Sequence, residues 1–226
     1  MELNSLAYGS SALSTERNRV LRNTYFMLAL TMVPTAIGAY LGVAMQFRMS
    51  PLIGFVVFMA VSFGSFYAIE KTKESAAGVF ILLGYTGFMG LWLSQMLQMA
   101  LRFSNGAEMI GLAAIGTGAI FFTLATIATV TKKDFSFMGK FLMIGVVVII
   151  LAALANIFFQ IPALSLTISA VAVMISSGFI LYDVSRIVNG GETNYVSATL
   201  SLYLNVYNLF TSLLHLIMAF TGNSRD

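Results

Sequence analysis

The chain has 226 residues, of which 58% are hydrophobic and only 9% charged. Soluble domains carry about 25% charged residues, so this composition cannot build a water-facing surface and places the chain in a bilayer. Twelve Lys and Arg give a net charge of +3, but they are scattered over short segments without interleaved aromatics, which excludes a nucleic-acid surface. The absence of cysteine excludes disulfides and thiolate metal sites.

In chain order, the first segment is 1-MELNSLAYGSSALSTERNRVLRN-23. It has no apolar core and does not read as a cleaved signal peptide. Residues 1–20 carry too few apolar side chains to bury a core and are expected to form a flexible tail. A spanning helix needs about 20 mostly apolar residues. Seven stretches qualify, at about residues 24–45, 51–69, 77–100, 108–130, 138–160, 163–187 and 195–220. Barrel strands would be about 10 residues of alternating character, so the fold class expected is an all-α integral membrane protein, a seven-helix bundle. Residues 21–226 then form a single membrane domain.

The helix breakers fit these limits. Pro34 lies inside span one and should kink it. Pro51 and Pro162 sit in the first turns of spans two and six, where a missing N–H costs little. Gly190 and Gly191 should end span six, and Thr193 or Asn194 should cap span seven. Gly84, Gly87 and Gly90 in span three, and Gly111 and Gly118 in span four, suggest helices in close contact.

Lys and Arg near span ends mark the cytoplasmic side. Arg17, Arg19, Arg22, Lys71, Lys73, Lys132, Lys133, Lys140 and Arg186 fall on one side, and Arg48, Arg102 and Arg225 on the other. This asymmetry predicts a cytoplasmic N-terminus and, after seven spans, a C-terminus outside.

Two polar stripes stand out. Span seven carries Ser197, Ser201, Asn205, Asn208, Ser212 and His215 at spacings of 4, 4, 3, 4 and 3 residues, one helix face. Span six carries Ser165, Ser169, Ser176 and Asp183 at spacings of 4, 7 and 7. In lipid such stripes turn inward, as interhelical packing contacts or as the lining of a wet pathway, and both readings stand at this point. Asp183 in 176-SSGFILYDVSRI-187 is a carboxylate within a span and so a functional candidate. The competing reading is an i, i+3 pair with Arg186 at the membrane edge. Burial disfavours a charged carboxylate, so an inward-facing Asp183 could respond to pH. Counting residues from the ends of the two spans sets Asp183 level with Ser201. Asn205 lies roughly 6–9 Å deeper and would meet Asp183 only if span seven starts late or tilts.

The segments 20-VLRNTYF-26, 131-TKKDFSFMGKFL-142, 154-LANIFFQIPAL-164, 176-SSGFILYD-183, 189-NGGETNY-195 and 202-LYLNVYNLF-210 resemble the Bax inhibitor (transmembrane Bax inhibitor motif) family, and most closely its bacterial YccA branch. The resemblance implies six helices around a central seventh, in a bacterial inner membrane. Some bacterial members resemble pH-sensitive calcium leak channels, in which aspartates on spans six and seven share a proton and gate a pore. Asp183 matches the first, but the second position holds Asn205, which leaves one titrating group and puts the switch and calcium selectivity in doubt. On that reading Asp183, Asn205 and Arg186 form the gate, and Ser176, Ser201, Asn208 and Ser212 line the path for Ca2+. The YccA branch is similar instead to modulators of the membrane AAA protease FtsH, which occupy the protease as competing substrates. The tail, with Met1, Glu2, Ser5, Ser10 and Ser14, would then be the handle the protease grips.

An enzyme is not expected. There is no H-E-x-x-H, no G-x-S-x-G around any serine, and a single histidine, so neither zinc nor a serine–histidine pair has its usual setting. A retinal-type pump needs a lysine within a span, and every lysine here lies in or beside a loop. No cofactor is expected.

Overall fold

The computed structural model describes residues 2–222, with side chains from residue 16 onward. Seven helices follow one another: α1 (Glu2–Ala44), α2 (Pro51–Thr72), α3 (Ala76–Ala100), α4 (Gly106–Thr131), α5 (Met138–Phe159), α6 (Pro162–Val188) and α7 (Tyr195–Thr221). Each has a stretch long and apolar enough to cross a membrane, Glu16–Ala44 in the case of α1. Helix limits fall within three residues of those read from hydropathy, except at the start of α1. Residues 16–20, expected in the tail, are helical. No Pro or Gly interrupts residues 10–33, and Arg19 follows Glu16 at helical spacing, so the helix extends outward from the span one residue at a time. The handle candidates Met1, Glu2, Ser5, Ser10 and Ser14 lie outside the residues whose side chains are described.

α7 packs against α1, α2, α3, α4 and α6, whereas α5 packs only against α6. The main core joins Leu202, Tyr203 and Leu209 of α7 to Tyr85 and Met89 of α3, Phe121 of α4 and Ile180 of α6. α7 is thus central with respect to five helices, and α5 stands outside that ring. Two pairs of helices keep their backbones apart: α2 from α6, and α1 from α4, where the Tyr25 ring meets that of Phe121 edge to face at 6.1 Å.

α1 and α3 approach most closely. A Cβ on Gly90 would collide with the Thr35 carbonyl oxygen, one on Gly38 with the Gly87 carbonyl oxygen, and one on Gly42 with Ser94 Oγ. In lipid, apolar side chains gain nothing from leaving water, so close backbone approach is what holds helices together. Gly84, Gly111 and Gly118, expected to mark similar contacts, have no heavy atom within 4 Å of a Cβ placed on them. They face open space, because a glycine in a membrane helix also occurs where nothing packs.

The loops at the basic end of the bundle are tied by hydrogen bonds. α6 stops at Gly190, with φ +79°. The Gly191 amide reaches back to the Arg186 carbonyl at 2.7 Å and the Gly190 amide to that of Ile187 at 3.2 Å, a Schellman ending. Asn194 caps α7, its Oδ1 accepting from the amides of Val196 at 2.9 Å and Ser197 at 3.1 Å. The same side chain donates through Nδ2 to the Lys73 carbonyl at 3.1 Å, fastening the α2–α3 turn to the start of α7.

Candidate functional site

The last two turns of α6 are the best-buried part of that helix, with Ile180, Asp183, Val184, Ser185 and Ile187 all inside. Asp183 is 6% exposed. Its Oδ2 accepts from Ser201 Oγ at 2.6 Å and from Asn205 Nδ2 at 2.8 Å, so both candidate partners are engaged on one oxygen. Depth along the helices matches Asp183 to Ser201 alone, and side-chain direction brings in Asn205. Cα–Cβ bonds tilt toward a helix's own N-terminus. In this antiparallel pair, Asp183 therefore leans into the membrane and Asn205 leans back out, and the two converge although α7 starts at Tyr195 as expected.

Arg186 does not pair with Asp183. Its guanidinium lies over the Tyr182 ring, 5.6 Å from the centroid, donates to the Gly191 carbonyl at 3.0 Å, and approaches Glu192 at 3.8 Å. The i+3 position at a helix end leaves the long side chain free to turn outward to water and loop carbonyls, which cost less than a buried carboxylate.

The remaining stripe residues divide. Ser169 Oγ and His215 Nδ1 are 2.8 Å apart, a second polar contact between α6 and α7. It lies 14 residues from Asp183 along α6, about 21 Å at the helical rise. Ser176 is buried between them without a hydrogen bond to α7, and Ser212 is half-buried. Asn208, expected inside, is exposed. Because α2 and α6 do not touch, α7 shows part of its polar face in the seam between them. A small cavity of about 240 Å³ sits at the basic end of that seam, lined by Glu70 of α2 with Ser197 and Ser201 of α7. Ser197 Oγ is buried there without a hydrogen-bond partner among the described residues.

The two loop motifs prove to be fastenings. In 132-KKDFSF-137, Ser185 Oγ donates to the Lys133 carbonyl and accepts from the Phe135 amide, each at 3.0 Å, and Asn189 Nδ2 donates to the same carbonyl at 3.3 Å. Asp134 accepts from the Ser136 amide at 2.8 Å, and bonding to the Ser136 hydroxyl and amide holds its carboxyl below the ordinary value. Ser185 is fully buried and was not picked out from the sequence. It lies off the stripe that contains Asp183, and a lone serine at a helix end carries no periodic signal. Among the described residues no three His, Asp or Glu side chains gather as a metal site would require.

These features define a multi-pass seven-helix membrane protein whose buried carboxylate is shared between its last two helices. The sequence model of the family described as "Inhibitor of apoptosis-promoting Bax1" matches residues 17–223. The "Modulator of FtsH protease YccA" of Escherichia coli K12 is 42% identical over 208 residues, 92% of each chain. An uncharacterized membrane protein of Vibrio cholerae is 43% identical over 208 residues, again 92% of each. An uncharacterized protein of Neisseria meningitidis serogroup A is 38% identical over 220 residues, 95% of this chain and 97% of that one. The chain belongs to the Bax inhibitor family.

Proposed function

We propose that this chain is a bacterial inner-membrane regulator, not an enzyme, that modulates a membrane-bound AAA protease of the FtsH type by occupying it as a slow substrate. The observation that carries this reading is the near full-length similarity to the Escherichia coli protein named as a modulator of that protease. Charge asymmetry supports it, because a cytoplasmic N-terminus would offer residues 1–20 to the protease. The packing supplies a reason for slowness. A pull applied at the N-terminus meets α1 first, and α1 is held to α3 by backbone contact at Gly38 and Gly90 and by close packing of Gly42 on Ser94. The test is a pulse-chase of a second membrane substrate of the protease. The full chain should lengthen that substrate's lifetime, and a chain lacking residues 2–20 should accumulate in the membrane without doing so. Equal protection by both would overturn the reading.

A second reading, a pH-modulated cation leak admitting Ca2+ with Asp183 as its gate, is favoured by one observation. Asp183 is held by Ser201 and Asn205 beside a seam that α2 and α6 leave open. Fully buried Ile180 and Leu209 lie between the inner and outer polar contacts, so a path along α6 and α7 is closed at those side chains in this conformation. Calcium flux into liposomes at acid and neutral pH, for the unmodified chain and for Asn205→Asp, tests it. Flux that follows pH in the unmodified chain supports the reading; flux that appears only in Asn205→Asp leaves the protease reading as the better account, and none in either removes it.

A further inference from the structure

α1 and α4 both pack on α7 with their backbones apart, meeting only through side chains such as the rings of Tyr25 and Phe121. Between them lies a groove of about 900 Å³, walled by apolar side chains such as Met32 and Phe122 and floored by Val206, Tyr207 and Phe210. Small-molecule sites occupy roughly 300–1,000 Å³, so this groove is large enough for a ligand. Exposed Met32 and Phe122 at its lips show that it opens toward the membrane.

Its basic end has a distinct chemistry. Arg22 precedes Tyr25 by three residues and shares the groove face of α1. Across the groove α4 ends at Thr131, followed by Lys132 and Lys133. All three cations are exposed, and none pairs with a carboxylate among the described residues, whose ion pairs are Lys73–Glu70 and Arg186–Glu192. Asp134, the nearest acid in the chain, is taken up by Ser136. The Tyr25 hydroxyl is buried and makes no hydrogen bond of good geometry among the described residues; the neighbouring Thr129 hydroxyl donates to the Ala125 carbonyl at 2.7 Å and is not placed to accept from it. A buried phenol needs an acceptor.

We propose that this groove binds an anionic glycerophospholipid. An acyl chain lies along α7, Tyr25 donates to an ester or phosphate oxygen, and Arg22, Lys132 and Lys133 hold the phosphate. Basic pockets between membrane helices on the cytoplasmic side recognise anionic head groups in this way. A partner's membrane helix would also cover the apolar walls, but it offers no anion to the three cations and no defined acceptor to Tyr25. This inference is independent of the protease reading.

Native mass spectrometry of the purified chain with equal amounts of dioleoyl phosphatidylglycerol, phosphatidylethanolamine and phosphatidylcholine tests the proposal. Phosphatidylglycerol should be retained in preference. Arg22→Gln, Lys132→Gln and Lys133→Gln should each lower that preference, by about fivefold per cation at most. Gly118→Trp should abolish it by filling the groove, since a Cβ at Gly118 meets nothing within 4 Å. The exposed glutamine variants keep the test open should the tryptophan variant fail to fold. Equal retention of the three lipids, a preference unmoved by the glutamine variants, or a co-purifying polypeptide displaced by Gly118→Trp would overturn it.

Discussion

α3 and α5 are both long apolar helices, yet α3 buries nine residues and α5 buries one, Leu142. α5 is the most apolar of the seven. In a water-soluble protein the most apolar helix would lie deepest, and here it lies outermost, with Phe141 77% and Phe158 84% exposed. The solvent explains the reversal. Lipid is as apolar as leucine, so hydropathy measures how well a helix tolerates the membrane and not how much of it is packed. What distinguishes α3 is small residues placed where α1 arrives, with aromatic packing of Phe88 and Trp92 against Phe58 of α2 on another side. α6 and α7 form a third kind of contact, made by hydrogen bonds.

The comparison can be broken most directly at Gly90. Gly90→Leu should destabilise the chain by about 3 kcal/mol or more, because the obstructing atom is the Thr35 backbone carbonyl and the two helices must separate. Thermal unfolding in detergent would show it, and a variant as stable as the parent would mean that α1 and α3 are not held by backbone approach. Asp183→Ala should cost roughly 1–2 kcal/mol, since it strips Ser201 and Asn205 of their acceptor while polar contacts in membranes stay modest. Asn194→Ala should cost about 1 kcal/mol through the lost cap, with faster amide exchange at Val196 and Ser197 as its signature. Gly145→Ala in α5 is the counterpart of the first and should cost less than about 1 kcal/mol. Its added methyl meets the tip of Ile175, a flexible side chain that can rotate away. A large loss at Gly145 would erase the distinction between the two helices.

The number of helices and nearly all their limits were legible in the sequence, because hydrophobic length is a direct statement about spanning. Asp183 was legible as well, since a carboxylate in a span stands out against its surroundings. The outer position of α5 was not, because hydropathy reports lipid compatibility alone. The glycine signal was ambiguous in the same way. Gly87 and Gly90 face α1 while Gly84, on the same helix, faces nothing, and only the partner's path separates them. Gly38 and Gly42, which complete the contact from the α1 side, passed unnoticed. The engagement of Asn205 required side-chain direction as well as depth, and the exposure of Asn208 required knowing that α2 and α6 stay apart.

The sharing of Asp183 between α6 and α7 bears on how the chain is made. An unshared aspartate in a membrane helix is disfavoured by as much as about 2.5–3.5 kcal/mol at the centre, less toward the edge. α6 inserted by itself would carry the reduced penalty of a carboxylate in its last two turns, and α7 is the least apolar of the seven spans. Each gains from the other once Ser201 and Asn205 reach the carboxylate. The final two helices are therefore expected to partition into the bilayer together, as a hairpin. Synthesis halted between them should leave α6 with its carboxylate unshared.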